Sequence, residues 1–138
     1  MLTETLRAVP ASAWTVLFFF PRGSHPHCVM EARRFQHLLP DFERLGVRVI
    51  GISVDTDEQQ RYFRSFCTLS FPLISDSSHE LSEAFGVLQA AEYEGERVTF
   101  ARRETFLLRP NRQVAYHWTE VDPNTHAAQV LEMMRQVV

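Results

Sequence analysis

The chain has 138 residues, of which 45% are hydrophobic and 22% are charged, and its formal net charge is -3. This length fits one domain, 1–138, with its own core, and the slight negative charge gives no support for a nucleic-acid or anionic-membrane partner. The longest apolar run, Val16 to Phe20, is too short to cross a bilayer, and the first residues lack the pattern of a signal peptide, so we expect a cytoplasmic protein.

The first predicted elements are a buried strand and a long helix. Trp14–Phe20 is a dense apolar run, which predicts a strand buried on both faces. The loop Pro21–His27 contains proline and glycine, and apolar side chains three and four residues apart then predict a helix over Cys28–Leu45. Pro40 lies inside this helix and should kink or split it.

The middle of the chain repeats this alternation. Val47–Val54 predicts a second buried strand, and Asp57–Cys67 predicts a second helix whose apolar side carries Tyr62, Phe63 and Phe66. The remaining predicted elements are a strand at Phe71–Ile74, a helix at Ser78–Phe85, a hairpin of Thr105–Leu108 with Val114–Trp118, and a terminal helix opened by Asp122-Pro123.

The order of these elements, β-α-β-α-β-α-β-β-α, favours an α/β fold. The early βαβ units predict parallel strands with helices on both faces of the sheet, and the late hairpin adds antiparallel strands. This is the order of a thioredoxin-like fold with a mixed central sheet.

Cys28 stands in the first turn of the long helix, directly after the first strand and its loop. Unpaired backbone N–H groups and the helix dipole favour an anion there, so we expect the pKa of the Cys28 thiol to lie below its usual value. Open α/β sheets also place their sites at the carboxyl ends of strands. A buried, unreactive cysteine would explain the same position.

The loop around Cys28 and three later segments resemble one known family. Pro21, Pro26 and Cys28 have the spacing of the active-site loop of peroxiredoxins, closest to the bacterioferritin-comigratory, or PrxQ-like, branch. The resemblance continues in the family's order at 49–55 (VIGISVD), 71–76 (FPLISD) and 103–108 (RETFLL). It extends from about Trp14 to the C-terminus.

The resemblance implies a thiol-dependent peroxidase that needs no cofactor and binds no metal. Cys28 would attack hydrogen peroxide or an organic hydroperoxide and become a sulfenic acid. Arg103 would donate to the sulfur and the peroxide and stabilise the departing oxygen, while Pro21 and His25 would contact the substrate. The family further implies a monomer that is reduced by thioredoxin or a similar thiol.

Two features depart from the family pattern. His25 stands where the family carries threonine, and although an imidazole can also accept and donate hydrogen bonds, it is larger than a hydroxyl. Thirteen residues precede Trp14, so we expect a shortened N-terminus that leaves one sheet edge or core face more open.

Cys67 has two interpretations. Many PrxQ-like relatives carry a resolving cysteine five residues after the nucleophile, where this chain has Arg33, and another subgroup carries it on the next helix, about one turn before Cys67. Cys67 is therefore a candidate resolving cysteine, reached by local unwinding of a helix end. Alternatively it is a buried core residue, and an external thiol reduces Cys28 directly.

Other functions fit the same residues. A thioredoxin-fold redox sensor or a degenerate, non-enzymatic interaction module would explain the replacement at His25. A disulfide reductase of the thioredoxin type is disfavoured because the chain has no Cys-x-x-Cys. A zinc or copper site is a further alternative; its ligands would be His25, His27 and Cys28 with a fourth from His79, His117 or His126.

Overall fold

The computed structural model describes residues 12–138, which form seven strands and four helices. The shortened N-terminus expected from the sequence concerns residues 1–11, which lie outside the described residues. In chain order the elements are β1 (Trp14–Phe19), α1 (Pro26–Arg44), β2 (Val47–Ser53), α2 (Asp57–Cys67), β3 (Leu73–Ser75), α3 (Glu80–Ala84), β4 (Leu88–Tyr93), β5 (Glu96–Ala101), β6 (Glu104–Leu108), β7 (Val114–Trp118) and α4 (His126–Val137).

Five of the strands form a mixed sheet in the order β3-β2-β1-β6-β7. The strands β1, β2 and β3 are parallel, whereas β6 pairs antiparallel with β1 and β7 pairs antiparallel with β6. The mixed central sheet and the β6–β7 hairpin predicted from the sequence are confirmed. Because β1 lies in the middle of the sheet, both of its faces are covered, as its uninterrupted apolar run predicts.

Alternate residues of β1 and Phe20, which directly follows it, point to two separate cores. Val16, Phe18 and Phe20 pack with side chains of α1, α2 and α4 on one face of the sheet. Leu17 and Phe19 pack on the opposite face, together with side chains of α3 and the ends of the β4–β5 segment. Helices therefore lie on both faces, as predicted.

Helix α1 starts at Pro26, two residues earlier than predicted, and continues without a break through Pro40 to Arg44. The expected split at Pro40 is wrong. Pro40 lies on the exposed side of α1, where water can replace the backbone hydrogen bond that a proline removes. No helix within residues 12–138 has the length and apolar character needed to cross a bilayer.

Helix α2 has the predicted bounds, but its apolar side is narrower than predicted. Phe63 is buried, whereas Tyr62 is 70% exposed and Phe66 is 54% exposed. The buried positions of α2 are Gln60, Phe63 and Cys67, which follow one stripe of the helix. Tyr62 and Phe66 stack on each other outside this stripe, with ring centroids 6.1 Å apart.

The hairpin of β4 and β5 was not predicted from the sequence. Its strands are mostly exposed, so they lack the apolar alternation by which strands are recognised. The signal was in the turn: Tyr93 pairs with Glu96, and the two residues between them, Glu94 and Gly95, have φ values of 51° and 81°. Such a two-residue loop with positive φ is typical of a tight hairpin.

The remaining differences concern element ends. Strand β3 starts two residues later than predicted, and α3 is shorter than the predicted helix. Helix α4 starts at His126, because Asp122 first forms a separate turn in which its side chain accepts from the Asn124 N–H.

Candidate active site

The loop after β1 leads directly into the first turn of α1. His25 is the N-cap of the helix, Pro26 is its first residue and Cys28 is its third. The His25 Nδ1 accepts from the His27 N–H at 3.2 Å, and the His25 carbonyl accepts from the N–H groups of Cys28 and Val29 at 3.0 and 3.1 Å. The backbone donors that the sequence reading assigned to a thiolate are therefore largely occupied.

Arg103 connects Cys28 to a buried carboxylate. It precedes β6, which is the antiparallel neighbour of β1, so this strand pair places it beside the start of α1. Its Nη2 donates to the Cys28 Sγ at 3.2 Å, and its Nη1 donates to the Glu31 Oε1 at 2.8 Å. The structure thus brings Cys28 and Arg103 together, as the family resemblance implies, and adds Glu31.

Glu31 is a site residue that the sequence reading missed. It lies one turn after Cys28 on α1 and is fully buried. Burial raises its pKa from an ordinary 4.5 to about 7, although the Arg103 charge and hydrogen bond act in the opposite direction. Within the described residues, its Oε2 has no hydrogen-bond partner. The spacing of three residues from Cys28 was the available signal, because it places both side chains on one helix side.

The pKa of the Cys28 thiol is raised, so the lowered value expected from the sequence is wrong for this fold. Burial has the largest effect, since the residue is fully enclosed. The Arg103 charge, a hydrogen bond from the Arg22 backbone and the Arg103 hydrogen bond lower the pKa, but only in part, and the Glu31 charge raises it further. The position of Cys28 at the start of a helix does not predict how deeply its thiol is buried.

Arg103 itself remains a cation. Burial lowers its pKa, but the charges and hydrogen bonds of Cys28 and Glu31 more than offset this, and the net direction is upward. The guanidinium is therefore a fixed positive charge beside the sulfur.

The two predicted substrate residues lie on the loop. Pro21 is half-buried and lies two residues after the end of β1, where the chain leaves the sheet. His25 is exposed, and its Nδ1 is used to cap α1. Beside this loop opens a groove of about 1000 Å³, whose walls include Arg22, Val29, Phe63, Phe66 and Val98.

Cys67 is the last residue of α2 and is buried with Phe63 in the core that also contains Cys28. Both cysteines are free thiols. Burial raises the pKa of Cys67, and the nearby Arg33 on α1 opposes this. Arg33 also donates to the Phe66 carbonyl at 3.3 Å, so it holds the end of α2 against α1.

Two of the histidines considered as metal ligands have other partners. His126 is buried and its Nε2 lies 2.8 Å from the Thr105 Oγ1, while the His117 Nε2 lies 2.6 Å from the Glu104 Oε1. Across residues 12–138, no three side chains of histidine, cysteine, aspartate or glutamate are grouped so that they could hold a metal ion.

Known proteins are similar to this chain in sequence. The AhpC/TSA family pattern matches residues 3–117. Peroxiredoxin Bcp of Xanthomonas campestris pv. campestris is 35% identical over 133 residues, which cover 96% of this chain and 83% of that protein. Peroxiredoxin Bcp of Bacillus subtilis is 30% identical over 124 residues, which cover 90% of this chain and 79% of that protein.

A solved structure extends the likeness to the fold. The bacterioferritin comigratory protein of Xanthomonas campestris, studied structurally for its alkyl peroxide reduction activity, superposes with a TM-score of 0.87 at 34% identity. The match covers 96% of this chain and 83% of that one, and it includes the mixed sheet of a thioredoxin fold. The chain therefore belongs to the AhpC/TSA family and is a thiol-dependent peroxidase of the Bcp, or PrxQ, type, which acts on a peroxide and is recycled by a thiol reductant.

Proposed function

We propose that Cys28 is the nucleophile of this peroxidase and that Arg103 is its catalytic partner. The observation that supports this most directly is the hydrogen bond from the Arg103 Nη2 to the Cys28 Sγ at 3.2 Å. The other nitrogen of the same guanidinium is held by Glu31, so the donor is aimed rather than mobile. A fixed cation beside the sulfur favours the thiolate and then the negative charge that develops on the departing oxygen.

The first step is a two-electron displacement. The Cys28 thiolate attacks one oxygen of the peroxide, the O–O bond breaks, and the sulfur becomes a sulfenic acid. The other oxygen leaves as hydroxide or alkoxide and takes up a proton, which yields water or an alcohol. Pro21 shapes the loop around the peroxide, and His25 lies at its outer edge with Nε2 free of the capping bond.

Cys67 then resolves the sulfenic acid. Its thiol sulfur attacks the Cys28 sulfur, a disulfide forms and water leaves. For this to happen the end of α2 must separate from α1, which breaks the Arg33 bond to Phe66 and the pair of hydrogen bonds between Gln36 and Ser70 at 2.8 and 2.9 Å. Helix ends open locally at low cost, so this movement is accessible.

The reductant closes the cycle. Thioredoxin or a similar dithiol attacks the disulfide, becomes oxidised itself and restores both thiols. Two unbridged cysteines and a dependence on a dithiol suit the reducing cytoplasm. We further propose that the protein is a monomer and that 1–138 forms one peroxiredoxin domain, with no nucleic-acid or membrane partner.

Intact-mass measurement after one equivalent of hydrogen peroxide tests these assignments. The wild type should lose two hydrogens as a disulfide forms, Cys28→Ser should remain unchanged, and Cys67→Ser should gain one oxygen as a sulfenic acid. A second equivalent of hydrogen peroxide should then convert Cys67→Ser to the sulfinic acid. Oxidation of Cys28→Ser at the wild-type rate would remove Cys28 from the mechanism. If Cys67→Ser is recycled by thioredoxin as fast as the wild type, Cys67 is only a core residue.

A further inference from the structure

The loop in front of Cys28 is held by a buried carboxylate that follows β2. Asp55 is only 4% exposed. Its Oδ2 accepts from the Gly23 N–H at 2.9 Å and from the Ser53 hydroxyl at 2.8 Å. Its Oδ1 accepts from the Arg22 Nη1 at 3.4 Å. Two consecutive residues of the loop are therefore bound to one carboxylate.

Arg22 links this carboxylate to the sulfur. The Arg22 Nη2 donates to the Thr99 carbonyl on β5 at 2.8 Å, which fixes the side chain between two elements. The Arg22 carbonyl accepts from the His25 N–H at 3.1 Å and closes the turn that leads into α1. A hydrogen bond from the Arg22 backbone lowers the pKa of the Cys28 thiol. The position of this backbone depends on the loop that Asp55 holds.

Space around the loop is equally restricted. A Cβ atom added at Gly23 would lie 2.9 Å from the Cγ of Phe63 on α2, so the loop backbone is pressed against this ring. The loop is thus fixed by hydrogen bonds on one side and by contact on the other, and a small displacement would move the Arg22 backbone relative to Cys28.

We propose that Asp55 is a positioning residue for the peroxidase reaction: through Gly23 and Arg22 it sets the geometry of the loop that leads into the first turn of α1 and Cys28. The inference rests on the proposed role of Cys28 as the nucleophile. Asp55 touches neither peroxide nor sulfur, so its contribution is the geometry of a donor that stabilises the thiolate.

The chain contains a matched control. Asp76 is 3% exposed and accepts three hydrogen bonds, from the Leu81 N–H at 3.0 Å and from the Ser82 N–H and hydroxyl at 2.7 Å each. It holds the start of α3 and makes none of the loop contacts. Asp55→Asn and Asp76→Asn therefore remove equivalent buried carboxylates, but only the first change affects the loop.

The test measures three quantities for both variants: the melting temperature, the pH dependence of the Cys28 thiolate absorbance, and the second-order rate constant of Cys28 oxidation by hydrogen peroxide. Both variants should melt at a lower temperature, because each leaves buried donors without an acceptor. Only Asp55→Asn should also move the thiolate titration to higher pH and slow oxidation about 10-fold, less than the roughly 10²-fold loss expected for a direct donor. The other groups that face Cys28, Arg103 and Glu31, are unchanged in both proteins.

Equal rates and equal titrations for the two variants would overturn the proposal. If Asp55→Asn does not fold, Arg22→Ala replaces it, since the Arg22 side chain is 40% exposed and its loss leaves the Gly23 and Ser53 bonds in place. An unchanged rate and titration in Arg22→Ala would then refute the proposed link. Failure of the wild-type Cys28 to react with peroxide would instead refute the assignment of the nucleophile.

Discussion

Replacing Glu31 by glutamine tests the energetic cost of the buried carboxylate behind Arg103. In the fold the pKa of Glu31 is about 7, against an ordinary 4.5. Between these two pH values the folded protein keeps a proton on Glu31 that the unfolded chain has lost, so stability falls as the pH rises through this interval. At about 1.36 kcal/mol for each pKa unit, the loss amounts to about 3 kcal/mol.

A glutamine side chain does not titrate, so the free energy of unfolding of Glu31→Gln does not fall with pH for this reason. Its free energy of unfolding relative to the wild type should therefore rise by about 3 kcal/mol between roughly pH 4 and pH 8. The comparison must be a difference between the two proteins, because buried His126 has the opposite effect. Burial lowers its pKa to about 4, and its neutral form adds stability as the pH rises. His126 is present in both proteins and cancels.

Urea unfolding of the reduced proteins at about pH 4, 6 and 8 measures this difference. Glu132→Gln is the control, since this side chain is 64% exposed and its substitution removes a carboxylate elsewhere while Glu31 stays in place. In the same samples, the Cys28 thiolate absorbance should move to lower pH in Glu31→Gln, because the Glu31 charge raises the Cys28 pKa. Parallel stability curves for the wild type and Glu31→Gln would mean that Arg103 keeps the carboxylate ionised throughout, and the reasoning would fail.

Two further substitutions test the site geometry. Arg103→Ala should lower the rate constant of Cys28 oxidation by about 10²-fold or more and raise the Cys28 pKa, whereas Arg102→Ala, which removes bonds to Glu104 and the Gly86 carbonyl, should leave the rate nearly unchanged. Stopped-flow oxidation measures both, and equal losses would mean that the position of Arg103 is misassigned. Gly23→Ala should lower the melting temperature and slow oxidation, because its Cβ would meet the Phe63 ring. Adding Phe63→Leu should recover part of the rate, and no recovery would argue against contact as the cause.

Much of the fold could be predicted from the sequence, because most elements carry their signal in neighbouring residues. The apolar run of β1, the capped helix α2 and the turn between β6 and β7 each carry a signal within a few residues. The exposed β4–β5 hairpin carries its signal only in Glu94 and Gly95, and without apolar alternation it was missed. Exposure on α2 was also misjudged, since Tyr62 and Phe66 are aromatic but lie outside the stripe that packs on the sheet.

For the candidate active site too, local features could be predicted from the sequence and features that depend on tertiary packing could not. The position of Cys28 at the start of a helix follows from local pattern, and the family resemblance supplied Arg103. The depth of burial of the thiol does not follow from either, because it depends on how the strands and helices pack around it. Burial raises the pKa of Cys28, whereas its position at a helix start predicted a lowered pKa. Glu31 was within reach of the spacing argument, whereas Asp55 was not, since nothing in the sequence relates its carboxylate to the loop.

The register between β1 and β6 makes the reactive centre a late product of folding. Phe19 pairs with Glu104, so Arg103 comes to the site only when these two strands have joined, and Arg103 is separated from Cys28 by 75 positions in the sequence. Contacts so distant in sequence form slowly, because the entropy cost of closing the long loop comes before the stabilisation that strand pairing provides. A chain in which α1 has formed but β6 has not docked would present the thiol without its cation. During refolding, the reactivity towards peroxide should therefore recover later than the helical circular dichroism signal. The delay between the two signals would measure how long β1 and β6 take to pair.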